Sequence, residues 1–155
     1  MSIVAAAFIS CMNVAALMYD LPEPILWSIA QVEGGQVGSV VRNANNTVDL
    51  GIMQINSSNL PDLEAFYGVD RRLLATRLVH DGCFNIKMGA WLLKRRMVEA
   101  HDFWVGVGWY HSHTPPLAID YIRKVSQAAV RLYGDGVFQR PGAAMNRLHS
   151  EEETP

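Results

Sequence analysis

The sequence contains little charge, and that charge is nearly balanced. Only 18% of its 155 residues are charged, and 13 Lys and Arg against 15 Asp and Glu leave a formal net charge of −2 at pH 7. A chain without a basic excess lacks the electrostatic footprint of nucleic-acid binding, so we expect no nucleic-acid partner. Half of the residues are hydrophobic, which is typical of a globular protein. The length suits one domain, and we expect a monomer.

Long hydrophobic runs are missing, and cysteines are few. The N-terminal stretch MSIVAAAFIS (1–10) is too short to span a bilayer and lacks the Lys or Arg that opens a signal peptide. Residues 1–10 are therefore either the remnant of an export segment or an apolar first helix that packs on the core. The two cysteines, Cys11 and Cys83, are either free thiols or a bridged pair, and an exported protein would favour the bridge.

Familiar cofactor, nucleophile and metal motifs are absent from the sequence. It contains no GxGxxG, P-loop or GxSxG stretch, and neither cysteine has the context of a catalytic nucleophile. The five histidines show no HExxH or similar spacing. We therefore expect neither a metal ion nor a cofactor.

Helical periodicity organises the remaining sequence. A first clear helix begins near Pro22 or Pro24, because proline is tolerated in a first turn, and it ends at the Gly pair 34–35. The stretch RNANNTVD (42–49) is rich in Asn and Asp, without an apolar period, and predicts an ordered polar loop.

Two longer amphipathic helices are predicted in the second half of the chain. One begins at Asp81 and the other around Pro116, with a shorter segment at 103–112 between them. Their predicted apolar faces consist of Phe84, Met88, Trp91, Leu92 and Val98 in the first helix, and Leu117, Tyr121, Val125, Ala128 and Leu132 in the second. We predict a mainly α-helical domain over 11–138 that can include a small β-hairpin, followed by a flexible acidic tail over 139–155.

Glu33 is a charged residue on the apolar face of the first predicted helix. Helical geometry places it on the same face as Leu26, Ile29 and Ala30. Such a setting disfavours the ionised carboxylate and raises its pKa, as a general acid near neutral pH requires. The alternative is a surface Glu in a last turn. The Gly pair favours the functional interpretation, because it lets backbone or ligand approach closely after the acid.

Polar side chains that suit a sugar follow in two further stretches. DLGIMQINSS (49–58) brings Gln54 and Asn56 together on a short extended segment, and their amides can bond hydroxyl and N-acetyl groups. GWYHSHTP (108–115) adds Tyr110 near a turn, either over a cleft or in the core. Asp49 is either a second carboxylate for a two-acid glycosidase or a turn-capping residue.

Four blocks, in this order and spacing, resemble the small specialised lytic transglycosylases of the goose-lysozyme-like superfamily. They are LPEPILWSIAQVEGG, NNTVDLGIMQINSS, DGCFNIKMGAWLL and VGWYHSHTPPLAIDYIRKV, and the resemblance covers roughly residues 11–126. It implies a lysozyme-like (goose-type) fold with an active-site cleft. It also implies a peptidoglycan substrate, a periplasmic location and a partner among conjugation, secretion or type IV pilus machines.

The resemblance implies a role for each matching residue. Glu33 falls on the family's single catalytic acid, which protonates the bond between N-acetylmuramic acid (MurNAc) and N-acetylglucosamine (GlcNAc). The same residue then acts as base on the muramyl C6 hydroxyl, giving a 1,6-anhydro product. The expected substrate-binding residues are Gln54, Tyr110, Met53, Asn56 and His111. Asn85, like Asn56, matches a more structural position.

Two departures from the family pattern and the cysteine pair complete the expectation. Gly34 stands where many relatives have Ser, so a hydroxyl that could orient the carboxylate is missing. His111 stands in the place of the Asn of the family's A-Y-N block. Related secretion-associated enzymes often bridge cysteines at positions like Cys11 and Cys83, which implies a disulfide and the periplasm.

Two rival functions remain open from the sequence. A muramidase on the same fold would admit water, with Asp49 as a helper, and would release reducing ends. A peptidoglycan-binding scaffold that has lost catalysis is the other rival, suggested by Gly34 and His111.

Overall fold

A computed structural model describes residues 3–139 of the chain. Within this range the protein is mainly α-helical, as predicted, with one small antiparallel sheet. The expected acidic tail falls almost entirely on residues 140–155, which lie outside the described residues. The elements are α1 (Ile3–Met18), α2 (Glu23–Glu33), β1 (Val40–Arg42), β2 (Val48–Leu50), β3 (Ile55–Asn56), α3 (Leu60–Tyr67), α4 (Arg71–His80), α5 (Gly82–Ala100), α6 (Phe103–His111) and α7 (Pro115–Tyr133), with 3₁₀ turns at Ser57–Asn59 and Asp135–Phe138.

Helix α1 includes residues 3–10 of the N-terminal stretch, and the second half of this helix packs on the core. Its residues Met12, Ala15 and Ala16 are buried against α5 and α2. A disulfide joins Cys11 of α1 to Cys83 at the start of α5, with the two Cα atoms 5.3 Å apart. The bridge that the resemblance implied is therefore present. Among the described helices, none is both long and apolar enough to cross a bilayer.

Helix α5 runs through the centre of the domain. The structure confirms the predicted start of this helix at Asp81. The Asp81 carboxylate accepts a hydrogen bond from the Phe84 N–H, at 2.9 Å, and so caps the first turn. Most of its apolar face is buried against α1, α4 and α6. The prediction for Val98 is wrong, because this side chain is 62% exposed, and Met97 is the buried residue of that turn.

Helices α2 and α7 pack against each other and together carry much of the site. Proline opens α2 and left-handed Gly34 ends it, both as predicted. On α7 the predicted face is buried at Tyr121, Val125 and Ala128. It is wrong at Leu117 and Leu132, which are 51% and 48% exposed at the two ends of the helix, beyond its contact with the core.

The sheet lies where the polar loop was predicted, and it has three strands. Strand β2 pairs antiparallel with β1 on one side and with β3 on the other. The polar stretch forms the end of β1, the turn to β2 and the start of β2. Helices α3 and α4, which the periodicity did not predict, follow the sheet and bury Leu63, Leu74 and Leu78.

Candidate active site

A polar cleft of about 450 Å³ opens between the end of α2, the sheet and the helices α5 and α6. It contains five of the six residues predicted for catalysis or substrate binding. Its lining consists of Glu33, Asn43, Asn45, Thr47, Asp49, Gln54, Asn56, Ser58, Asn59, Leu92, Arg96, Trp109, Tyr110, His111, Ser112 and His113.

Glu33 is the last residue of α2, and two glycines after it shape this edge of the cleft. Gly34 adopts φ +63°, a left-handed conformation that ends the helix and that glycine tolerates without strain. A Cβ at Gly35 would lie 2.1 Å from the carbonyl oxygen of Gly51. Only glycine therefore lets the loop after β2 pack this closely on the end of α2, which is the close approach predicted from the Gly pair.

The Glu33 carboxyl has a raised pKa, as its apolar helix face predicted. The pKa is raised from 4.5 to about 7 in total: burial raises it most, the hydrogen bond from Tyr121 lowers it in part, and the nearby charge of Asp49 raises it. Desolvation is the largest of these causes because it penalises only the ionised form. A carboxyl with this pKa is protonated in a large fraction of molecules at neutral pH.

Tyr121 of α7 supplies a hydroxyl to this carboxyl. Its Oη donates to Glu33 Oε1 at 2.5 Å, across 88 positions of sequence. The imidazole of His111 stacks on the Tyr121 ring, with centroids 4.9 Å apart and planes 5° from parallel. Sequence reasoning missed this contact because it assigned Tyr121 to the core face of its helix. The side chain is indeed buried, but its hydroxyl reaches the acid.

Tyr110 is part of the cleft lining and is anchored by its hydroxyl. Its Oη donates to the backbone carbonyl oxygen of Met53, at 2.8 Å, and burial raises the pKa of the phenol well above its usual value. Met53 itself has no exposed surface. The Met53 side chain therefore lies in the core behind the cleft, and it contributes to the site through its backbone.

Gln54 follows in a strained loop that points its amide to the cleft. Its φ of +47° is unusual for a residue with a side chain. The amide nitrogen donates to the Gly51 carbonyl at 2.8 Å and to Ser39 Oγ at 3.2 Å. These two bonds fix the amide plane, and they leave its oxygen as the acceptor available to a ligand.

Asp49 and Asn56 hold the sheet together at the floor of the cleft. The Asn56 amide donates to Asp49 Oδ1 at 2.8 Å and to Thr47 Oγ1 at 2.9 Å, and the Asn43 amide donates to Asp49 Oδ2 at 2.9 Å. Both oxygens of Asp49 thus accept hydrogen bonds. Of the two interpretations of Asp49, the hydrogen bonds support the one in which it stabilises the loop.

Asn85 of α5 anchors the same loop from the core. Fully buried, it donates to the carbonyl oxygens of Leu50 at 2.8 Å and Leu78 at 2.9 Å, and it accepts from the Met53 N–H at 2.8 Å. This side chain thereby ties the residues before Gln54 to α4 and α5. Within residues 3–139, no group of three or more His, Cys, Asp or Glu is arranged to hold a metal ion.

A fold dominated by helices, with a small sheet forming one wall of a cleft and a half-buried acid at its edge, defines the lysozyme-like class. The sequence of residues 10–115 matches the family described as "Transglycosylase SLT domain", and the chain belongs to that family. Family membership confirms the resemblance and the fold, and it implies peptidoglycan as the substrate. It also implies action outside the cytoplasm. The matched range ends before most of α7, which supplies Tyr121.

Relatives similar to this chain come from enteric bacteria. One is "Invasion protein IagB" of Salmonella typhi, 32% identical over 119 residues, or 76% of this chain and 71% of the relative. Another is "Protein IpgF" of Shigella flexneri, 32% identical over 107 residues, or 68% of this chain and 67% of the relative. A third is "Peptidoglycan-binding-like protein" of Escherichia coli O157:H7, 28% identical over 132 residues, or 80% and 74%.

Proposed function

We propose that the protein is a lytic transglycosylase that cleaves the β-1,4 bond between MurNAc and GlcNAc and forms 1,6-anhydroMurNAc. The observation that carries this proposal is Glu33, a half-buried residue whose carboxyl has a pKa of about 7 at the edge of a polar cleft. A group with this pKa exists in both protonation states near neutral pH. It can therefore donate a proton in one step and accept one in the next.

The reaction needs one carboxyl for two proton transfers. Protonated Glu33 donates its proton to the glycosidic oxygen, and the bond from that oxygen to C1 of MurNAc breaks. The Glu33 carboxylate then removes the proton of the C6 hydroxyl of the same sugar, whose oxygen bonds to C1. Glu33 ends protonated, and no water is consumed. Tyr121 supports both steps, because its hydroxyl fixes the carboxyl and compensates its negative charge.

The other predicted residues take supporting roles in this proposal. Gln54 offers its amide oxygen, and Tyr110 its ring face, to hold a sugar near Glu33. His111, stacked on Tyr121, stands in the place of the family's Asn and provides a wall of the cleft with ring nitrogens that can bond a sugar. Asn56 supports the floor of the cleft, since its amide already has partners in the sheet.

The experiment compares the products of wild-type protein and Glu33→Gln by mass spectrometry of digested sacculi. Wild-type protein should release 1,6-anhydromuropeptides, and Glu33→Gln should release none. Glu23→Gln is the matched control on the same helix, because its amide oxygen can still accept the bond that Glu23 accepts from Trp27 Nε1, at 2.9 Å. Reducing ends in place of anhydro ends would identify a muramidase. No product from wild-type protein, with binding to sacculi retained, would identify a scaffold.

We further propose that the enzyme acts in the periplasm and opens the wall locally for a secretion machine. The disulfide supports an oxidising compartment. The invasion protein among the relatives supports secretion, whereas these comparisons give conjugation and type IV pili no support. Deletion of the gene should impair secretion through the machine served, and Glu33→Gln should not restore it.

A further inference from the structure

Arg96 is the one Lys or Arg side chain that lines the cleft within the described residues. It extends from α5, one turn after Leu92, which lines the cleft on the same helix face. Its side chain is only 20% exposed. A partly desolvated guanidinium interacts more strongly with an anion than one on an open surface.

Two neighbours fix the orientation of this guanidinium. One terminal nitrogen, Nη1, donates to Glu99 Oε2 at 2.8 Å, and the other, Nη2, donates to Asn59 Oδ1 at 3.2 Å. A guanidinium carries five N–H groups in a rigid fork. Two of the five have partners among residues 3–139, and the remaining donors are available to a ligand.

We propose that Arg96 binds a carboxylate of the glycan substrate and so selects muramyl glycan over uncharged GlcNAc polymers. The inference rests on the proposed function and deepens it. The hydroxyl and acetamide groups of the sugars are neutral, whereas MurNAc carries a lactyl carboxyl or, linked to it, a peptide with carboxylates of its own. A guanidinium fork matches a carboxylate in geometry and charge.

The chain offers a matched control on the next residue. Arg95 has the same charge, but it pairs with Asp62 at 3.0 Å and lies over the ring of Trp91, 4.7 Å from its centroid. It is not part of the cleft lining. Arg95→Gln removes the same charge from the protein without touching the cleft, which separates a local contact from a general electrostatic attraction.

The experiment measures binding by calorimetry in the Glu33→Gln background, in which the ligand is not consumed. The ligands are glycan oligomers with stem peptides, the same oligomers after amidase treatment, and a GlcNAc oligomer of equal length. Added Arg96→Gln should weaken binding of carboxylate-bearing ligands by about tenfold or more, as for a lost hydrogen bond to a charged group. The same substitution should change the affinity for the GlcNAc oligomer by no more than about twofold. Added Arg95→Gln should change the affinity for each of the three ligands by no more than about twofold.

The two possible sources of the carboxylate give different results. Loss confined to the peptide-bearing oligomers identifies a peptide carboxylate. Loss confined to the amidase-treated oligomers identifies the lactyl carboxylate, which amidase frees from its amide bond to the peptide, and loss for both ligands means that Arg96 accepts either carboxylate. An equal loss for all three ligands would mean that Arg96 only holds Asn59 in place, which overturns the inference. An unchanged affinity for every ligand overturns it as well. If the background protein binds none of the glycans, the proposed function itself fails, and the inference fails with it.

Discussion

Glu33, Tyr121 and Arg96 show how single side chains acquire particular properties from their surroundings. Glu33 is an ordinary carboxyl that burial turns into an acid of near-neutral pKa. Tyr121 provides the hydroxyl that the resemblance suggested was missing with Gly34. A serine at this position would be strained, because φ is +63° there. The hydroxyl that contacts this carboxyl therefore comes from another helix, α7.

The raised pKa of Glu33 predicts a pH-dependent stability. The folded-state pKa of about 7 lies above the unfolded value of 4.5, so the folded state binds more protons between these values and stability falls as pH rises through this window. Glu33→Gln cannot ionise. It should be more stable than wild-type protein at pH 8, by about 3 kcal/mol at most, and nearly equal to it at pH 4.5. Urea unfolding at the two pH values measures this, and a stability difference independent of pH would contradict it.

Tyr121→Phe should shift the pH profile of the enzyme. The hydrogen bond from Tyr121 lowers the pKa of Glu33, so its loss should raise the pKa and move the alkaline fall in activity to higher pH. Because the carboxyl also loses its orienting partner, kcat should fall about tenfold. The phenylalanine ring retains the stacking surface for His111. Initial rates of anhydro product release between pH 5 and 9 test this prediction, and an unmoved alkaline limb would refute it.

At the scale of elements, the cleft depends on the loop between β2 and β3, which Asn85 ties to the core. Asn85→Leu keeps a similar volume but leaves the N–H of Met53 and the carbonyls of Leu50 and Leu78 without their partner. It should destabilise the fold by about 3 kcal/mol or more and lower activity by displacing Gln54. Denaturant unfolding measures the loss. The exposed Val98→Ala on the same helix should change stability by about 0.5 kcal/mol at most.

The elements also show what sequence patterns can predict. The C-terminal end of α2 and the start of α5 are predicted correctly, because glycine and aspartate caps act locally. Helices α3 and α4 were missed, since each is short and carries only a few buried apolar residues. The sheet was predicted as a loop with room for a hairpin, because its strands of two or three residues depend on pairing and on bonds from Asn56 and Asn85, which local sequence does not reveal.

The residues of the site also show that local sequence signals can be predicted, whereas contacts between distant elements cannot. The acid and four of its five predicted substrate-binding residues line one cleft, because these residues lie in recognisable blocks. Met53 was predicted to bind substrate, but its side chain is fully buried in the core. Only its backbone contributes to the site, through the carbonyl that accepts the bond from Tyr110. Tyr121 and Arg96 were not assigned to the site, since an aromatic residue on an apolar helix face and a basic residue on a polar face have common structural explanations.

For the whole molecule, the disulfide is the main covalent constraint on the described fold. It closes a loop with a sequence separation of 72 between α1 and α5. Cys11→Ser with Cys83→Ser should lower the free energy of unfolding by about 4 kcal/mol in the chain-entropy model. Wild-type protein unfolded in reductant should have the same free energy of unfolding as the double variant. The control variant Ser10→Ala, beside the bridge, should keep the free energy of unfolding of the oxidised wild-type protein. Equal stability of oxidised and reduced wild-type protein would contradict the prediction.

The bond from Tyr121 to Glu33 also bears on the order in which the chain is made. Glu33 leaves the ribosome before the helix that partners it, because α2 precedes α7 along the chain. A nascent chain that lacks α7 carries a Glu33 without its hydroxyl partner and without the packing of α7 on α2. The surroundings that orient the Glu33 carboxyl and set its pKa are therefore complete only after α7 has docked on α2.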